Sequence, residues 1–361
     1  MKHLSEGVMK ITISVIKSEV VSNGGHIAPS SKNVKEISSY IENERNELVI
    51  DHYVGSIGDD ISIMLTHQHG EDNPDVYKLA CDAFSHSQIM QEKCFSQNTD
   101  NKRLTIAELE FEERESEPFL LFAADKTNPG AFNLPLYLSF IDPMNTPGLI
   151  LAHSMAKGFK FVIMDINYTE GDRVIELNSP EDLYDIAVLL REPERYVVES
   201  VWTRETSEKA VALSTSRLHK IAGKYNGRDD PVMLIRVQDK FPTTGEIIHP
   251  YSIGHFVAGG MHECHQMPLM PVEINAGICY SEGSPIVSCA AFTIKNGILT
   301  EAIDVFKTPF WDTVRNDVSH KAMDMRKQGF FGAAMLPISE LEYTGVMTKL
   351  ESLNPYFVIR H

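Results

Sequence analysis

The chain reads as an α/β protein of the α+β type, with antiparallel or mixed sheets and helices packed outside them, in a single domain over residues 1–361. Three observations predict this. Strand patterns dominate and pair as hairpins, while helical patterns come singly between them. No internal repeat, low-complexity tract or linker-like shift in composition divides the chain. No G-x-G-x-x-G or G-x-x-x-x-G-K-[ST] motif is present, so doubly wound nucleotide-binding folds have no support.

Residues 1–8 are polar and read as a flexible N-terminal extension. Lys10 to Ile16 alternates apolar and polar residues with β-branched content, a strand. It leads into Ser22-Asn23-Gly24-Gly25, a turn ending at His26. Val34, Ile37, Tyr40 and Ile41 recur at helical spacing between Ser31 and Leu48. Asp51 to Leu65 reads as a hairpin around Ser56-Ile57-Gly58. Asn73-Pro74 supplies the N-cap and first position of a helix through Phe84. Ile106 to Glu112 alternates as a half-exposed strand, and Pro118 to Ala124 is a buried run. Phe159 to Ile166 is a further strand. Ser179-Pro180-Glu181-Asp182 then reads as the capped start of a helix to Leu190. Tyr196 to Val201 and Ala210 to Leu213 are strands, and Ile286 to Ile294 turns at Asn296-Gly297 into Ile298 to Val305. A long helix follows Pro309 and stops at Gly329.

The net charge of −17 argues against nucleic acid or an anionic membrane as partner. Five scattered cysteines without a C-x-x-C pair read as reduced thiols, which places the protein in the cytoplasm. No apolar run is long enough to span a bilayer, and the N-terminus lacks a signal-peptide core.

Three turns carry the candidate chemistry. Gly223-Lys224-Tyr225-Asn226-Gly227-Arg228-Asp229-Asp230 feeds the apolar run Val232 to Ile235. Ile57-Gly58-Asp59-Asp60 feeds Ile61 to Leu65, and Phe119 to Phe122 ends near Asp125-Lys126. Acidic residues at turns are ordinary caps. Three such sets at strand ends are equally what a shared hard cation requires, and Mg²⁺ with oxygen ligands is the obvious one.

The chain resembles the fructose-1,6-bisphosphate aldolase/phosphatase family over most of its length. The block EERESEPFLLFAADKTNPGAFNLPLYLSFIDPMNTPGL, Glu112 to Leu149, carries the resemblance most strongly. Ser14 to Lys17, Gly58-Asp59-Asp60, Ala222 to Tyr225, Pro268 to Val272, Lys295-Asn296-Gly297 and Glu342-Tyr343-Thr344 support it. The resemblance implies a four-layer α-β-β-α sandwich, assembly into homo-octamers and several Mg²⁺ ions, with Mn²⁺ as a substitute. It also implies a site that joins two triose phosphates through a lysine Schiff base and then removes a phosphate. Carried over by position, Asp59, Asp60, Asp125, Asp229 and Asp230 are metal ligands. Lys126 is a phosphate-proximal lysine, and His26 is close to both substrate and metal. Tyr225 is the aldolase proton donor and acceptor. Gln238 is a substrate contact, and Tyr343 reaches the site from the C-terminal part.

The departures matter as much. Arg228 stands where the resemblance places the Schiff-base lysine, and a guanidinium stays protonated where a neutral amine is needed. Glu19 stands where an aspartate serves as general base and metal neighbour, and Glu282 replaces a substrate-contacting aspartate. An arginine that grips the distal phosphate is replaced near His262 and His265, whose spacing also permits a transition-metal site. The segment between Phe84 and Ala107 is shorter than its counterpart. His67 and His69 alternate along a strand end, face opposite sides and read as structural.

The reading that follows is a Mg²⁺-dependent phosphatase of a small phosphorylated metabolite, related to fructose-1,6-bisphosphatase and lacking the aldolase step. The alternatives are a lyase or isomerase using the same carboxylates on a different substrate, and a non-catalytic relative.

Overall fold

The computed structural model describes residues 9–20, 27–87, 104–168, 170–193, 195–214, 230–258, 266–277, 284–327 and 346–360. The strands are β1 (Lys10–Glu19), β2 (Asp51–Ile57), β3 (Asp60–His67), β4 (Leu104–Glu112), β5 (Glu117–Asp125), β6 (Phe159–Asp165), β7 (Asp172–Asn178), β8 (Tyr196–Thr203) and β9 (Lys209–Leu213). They continue with β10 (Val232–Arg236), β11 (Phe256–Ala258), β12 (Gln266–Pro268), β13 (Met270–Pro271), β14 (Ile286–Lys295), β15 (Ile298–Leu299), β16 (Ile303–Asp304) and β17 (Val358–Arg360). The helices are α1 (Ser31–Glu44), α2 (Pro74–His86), α3 (Asn133–Phe140), α4 (Gly148–Leu151), α5 (Leu183–Leu190), α6 (Thr244–Ile248), α7 (Pro309–Lys327) and α8 (Val346–Leu353). Among the described residues no helix is long and apolar enough to cross a membrane.

Two main sheets carry the fold. The smaller has the order β2-β3-β1-β4 and is antiparallel throughout. The larger runs β13-β14-β5-β10-β9-β8-β6-β7-β17, with β15 and β16 also on β14. It is mixed, because β13 and β14 run parallel while its other pairs are antiparallel. The strands-dominant α+β reading therefore holds.

Side-chain alternation assigns each strand face to a core. In β1, Ile11, Ile13 and Val15 pack with Phe119, Leu121 and Ala123 of β5, Val232 and Leu234 of β10, and Phe292 and Ile294 of β14. This apolar cluster lies between the two sheets. The opposite faces serve two other clusters. Ile16, Ile61, Ile63 and Leu65 pack against Ile37 and Ile41 of α1 and Val76, Leu79 and Phe84 of α2. Leu120, Phe122, Met233, Ile235 and Cys289 pack with residues of α3, α5, α6, α7 and α8.

The helix starts at Ser30 and Asn73 obey their side chains. Ser30 Oγ accepts from the Asn33 N–H, and Asn73 Oδ1 accepts from the Asp75 and Val76 N–H groups. The expected cap at Ser179 does not form. Residues 179–182 make a turn containing a cis Ser179-Pro180 bond, and α5 begins only at Leu183. Ser179 Oγ instead accepts from the Phe159 N–H at 2.9 Å, which draws it onto β6.

The sheet-to-sheet core is closed at one end by ions. Arg236 and Glu117 are fully buried and paired through two hydrogen bonds of 2.8 and 2.9 Å, with Arg114 also on Glu117. The Arg236 guanidinium lies over the Phe111 and Phe241 rings. The other end holds the candidate site.

Candidate metal centre

The same alternation brings charged side chains to that second end. Lys17 and Glu19 continue the series Ile11, Ile13, Val15 on β1, and Asp125 continues Phe119, Leu121, Ala123 on β5. Asp60 shares the inward face of β3 with Met64, and Asp230 immediately precedes the Pro231 that leads into β10. Carboxylate oxygens of Asp60, Asp125 and Asp230 lie within 4.8 Å of one another. Asp60 and Asp125 are buried and Asp230 is half-buried.

Backbone geometry makes this convergence possible. Gly58 has φ +52°, and a Cβ there would sit 1.4 Å from Asp125 Oδ2, so only glycine lets the β2–β3 turn approach that carboxylate. The Gly58 N–H donates to the Ala276 carbonyl at 2.8 Å, which anchors the turn. Lys126 and Asp230 both take left-handed φ values, 60° and 59°. The Thr127 N–H donates to Asp230 Oδ1 at 2.8 Å, and the Asp230 N–H returns to the Thr127 carbonyl at 3.1 Å.

Two lysines face the acids. Lys126 Nζ donates to Asp59 Oδ1 at 2.9 Å and lies 3.2 Å from Asp125 Oδ1. Lys17 Nζ donates to Asp60 Oδ2 and, at 3.1 Å, to the Ala124 carbonyl. Burial pushes the Asp125 carboxyl well above the usual carboxylate range, and neighbouring Asp230 and Asp60 push it further, against Lys126 and Lys17. Asp230 rises to about 6 for the same main reason, burial, with Lys17 opposing and Asp60 adding to the rise. For Lys126, burial favours the neutral amine, but Asp125, Asp59 and Asp230 outweigh it and raise its pKa. Four carboxylates against two ammonium groups leave an all-oxygen cluster short of positive charge. That donor set fits a hard divalent ion such as Mg²⁺ or Mn²⁺, held by Asp60, Asp125 and Asp230.

The structure therefore brings together Asp60, Asp125 and Asp230, with Asp59 and Lys126 alongside. Asp59 faces Lys126 rather than joining the three-oxygen group. Glu19 ends β1 directly opposite Asp60 in the β1/β3 ladder, so the two share a face. Gln238 is not brought to this site. It follows β10 at the end opposite Asp230, roughly 25 Å along an extended chain at about 3.3 Å per residue. There its carbonyl accepts from Arg114 at 3.1 Å. His26, Tyr225, Arg228, Asp229, His262, His265, Glu282 and Tyr343 lie outside the described residues.

Two readings from sequence change. Lys17 joins the site residues, and the signal for it is alternation along Lys10–Glu19, which puts this charge on the face of Ile11, Ile13 and Val15. His67 and His69 do not face opposite sides. Their rings stack with centroids 5.9 Å apart, because residues two apart along an extended chain share a face. His67 is nonetheless structural: its Nδ1 accepts from the His69 N–H at 3.2 Å, and its Nε2 meets Ser14 Oγ at 2.8 Å. Ser14 in turn donates to Glu108.

A family model described as Fructose-1,6-bisphosphatase matches residues 10–358. Three relatives named fructose-1,6-bisphosphate aldolase/phosphatase match almost end to end. That of Thermus thermophilus is 44% identical over 97% of this chain and 100% of its own length. That of Cenarchaeum symbiosum is 41% identical over 97% and 95%, and that of Ignicoccus hospitalis 40% over 96% and 93%. With the match running through β1, the Gly58 turn and β5 alike, the chain belongs to the fructose-1,6-bisphosphate aldolase/phosphatase family.

Proposed function

We propose that this family member is a Mg²⁺-dependent phosphatase that acts on a small sugar phosphate and lacks the Schiff-base aldolase step. The observation that carries the reading is the convergence of Asp60, Asp125 and Asp230 within 4.8 Å beside two lysines. These three acids would hold the divalent ion, with Asp229, next to Asp230 in sequence, as a further carboxylate. When bound, such an ion polarises a phosphoryl oxygen and lowers the pKa of attached water. Lys126, kept protonated by its acids, offers its ammonium to the charge that builds on the phosphoryl group. Glu19, on the same face as Asp60, takes the proton from the attacking water.

The loss of the aldolase step rests on chemistry. Arg228 cannot supply a neutral amine. Lys126 does not replace it, because its ion pairs with Asp59 and Asp125 favour the ammonium. Tyr225, His26, His262, His265, Glu282 and Tyr343 remain for substrate recognition, and this reading gives Gln238 no role in its own chain's site.

We further read the three apolar clusters as the joints of one single-domain α-β-β-α sandwich. Exposed Met144, Ile150, Leu151 and Tyr184 support a homo-oligomer. The proposed location is the cytoplasm.

The test is phosphate release from a panel of sugar phosphates that includes fructose 1,6-bisphosphate, with and without Mg²⁺. The reading expects Mg²⁺-dependent release that disappears in an Asp125→Asn/Asp230→Asn variant. Equal release by wild type and variant, or none by either, rejects it.

A further inference from the structure

We infer that Lys17 is a positioning residue that ties the two sheets together at the carboxylate cluster and so sets the spacing of the metal ligands. The inference rests on the metal reading proposed above. Its starting point is that the ligands come from different sheets. Asp60 belongs to the smaller sheet, whereas Asp125 and Asp230 belong to β5 and the approach to β10. Facing sheets pack about 10 Å apart, so bringing the three oxygens within reach of one ion needs a specific constraint.

Lys17 supplies it. Its side chain is 2% exposed, and its ammonium leaves β1 to donate both to Asp60 Oδ2 and to the Ala124 carbonyl of β5. One group thus fixes the Asp60 carboxylate and the residue next to Asp125 together. Its register neighbours are Ser62 on β3 and Thr105 on β4, whose short buried hydroxyls have no hydrogen-bond partner among the described residues. Neither makes the crossing that the longer lysine makes. Among the described residues, the other contacts here hold the Gly58-Asp59 turn: Lys126 on Asp59, the Asp59 N–H on Asp125 Oδ2 at 3.4 Å, and the Gly58 N–H on the Ala276 carbonyl. Among the described residues, the side chain that donates to the Asp60 carboxylate is Lys17.

Charge alone gives the opposite expectation. A permanent ammonium beside a cation site repels the incoming ion, so its removal tightens binding if charge is all that matters. A positioning role predicts weaker binding despite the more negative site. The two roles therefore differ in sign.

The test is isothermal titration of the full chain with Mn²⁺, comparing wild type, Lys17→Met and Lys17→Arg. Lys17→Met keeps the length and removes the donors. Lys17→Arg keeps the charge but presents its donors in a different geometry. The positioning role expects both variants to bind about 10–100-fold more weakly, the range seen when outer partners of metal ligands are removed. Unchanged or tighter binding by Lys17→Met overturns it, and if that variant does not fold, unchanged binding by Lys17→Arg does so. Hydrogen exchange in EDTA gives a readout without metal. Faster exchange at both the start of β3 and the end of β5 is expected in the variant, and a change confined to β1 overturns the tie. Wild type that binds no Mn²⁺ rejects the metal reading, while the exchange measurement still decides whether Lys17 joins the sheets.

Discussion

Asp230→Asn separates the cost of the cluster to the bare fold from its use in holding an ion. The Asp230 carboxyl is raised from 3.8 to about 6 in the folded protein, first by burial. A carboxyl raised by folding stabilises the fold fully below its unfolded value, about 3.9, and loses that contribution as pH rises through about 6. At about 1.36 kcal/mol per pKa unit the full shift is worth about 3 kcal/mol, and partial exposure of the group reduces this to about 2–3. Asparagine keeps an oxygen for the Thr127 N–H and tolerates φ 59° well. The metal-free variant is therefore expected to be more stable than wild type by about 2–3 kcal/mol at pH 8, with no gap at pH 3. With ~2.1 cal/mol/K of unfolding entropy per residue over 361 residues, that is about 3–4 °C in Tm. Added Mg²⁺ closes the gap at a hundred times Kd, where wild type gains about 2.7 kcal/mol, and reverses the order at a thousand times Kd, where it gains about 4.1, while the variant gains little. Thermal melts in EDTA and in Mg²⁺ at both pH values make the assay. A variant less stable than wild type in EDTA at pH 8, or equal Mg²⁺ stabilisation of both proteins, refutes the reasoning.

Gly58→Ala introduces a Cβ against Asp125 Oδ2 at a left-handed position, and is expected to cost about 1–2 kcal/mol and to weaken Mn²⁺ binding. A melt together with a titration checks both effects. At the other end of the sheet-to-sheet core, Glu117→Ala leaves buried Arg236 only the longer 3.6 Å ion pair with Glu208, with an expected cost of about 3–5 kcal/mol in urea melts. Mn²⁺ affinity of the surviving folded protein should not change. His67 is held down to about 4 by burial, so its ring signal should not titrate between pH 5 and 8 by NMR. Because the unfolded chain protonates this ring near 6.5, stability should fall by up to about 3 kcal/mol as pH drops from 6.5 to 4. A titration midpoint above 5.5 contradicts this.

Much of the fold was legible where one residue type has one physical use. Asn73-Pro74 opens α2 as read, and the alternations at Lys10 to Ile16 and Ile106 to Glu112 lie within the longer strands Lys10–Glu19 and Leu104–Glu112. The reading failed where a long-range partner competes with a local signal, as when Ser179 turns to β6 instead of capping α5. The short strands β15 and β16 replace the long return strand expected after the Asn296-Gly297 turn. Residues 133–140 form α3 although their run Leu134 to Phe140 offered no clear period.

At the candidate site, acidic pairs at strand ends were visible in sequence, because turns displaying carboxylates before apolar runs are easy to see. What could not be seen was which oxygens converge. Asp59 turns to Lys126 while Asp60 joins Asp125 and Asp230, a choice made by strand register. Lys17 could have been found by asking why a charge falls on the inward face of β1. Gln238 illustrates the converse, since sequence proximity to Asp230 along an extended strand means distance in space.

Anomalous diffraction from a Mn²⁺-soaked crystal tests the proposed centre most directly. The account predicts a peak at bonding distance, about 2 Å, from oxygens of Asp60, Asp125 and Asp230. Manganese bound elsewhere, with these three carboxylates turned away from any peak, contradicts it.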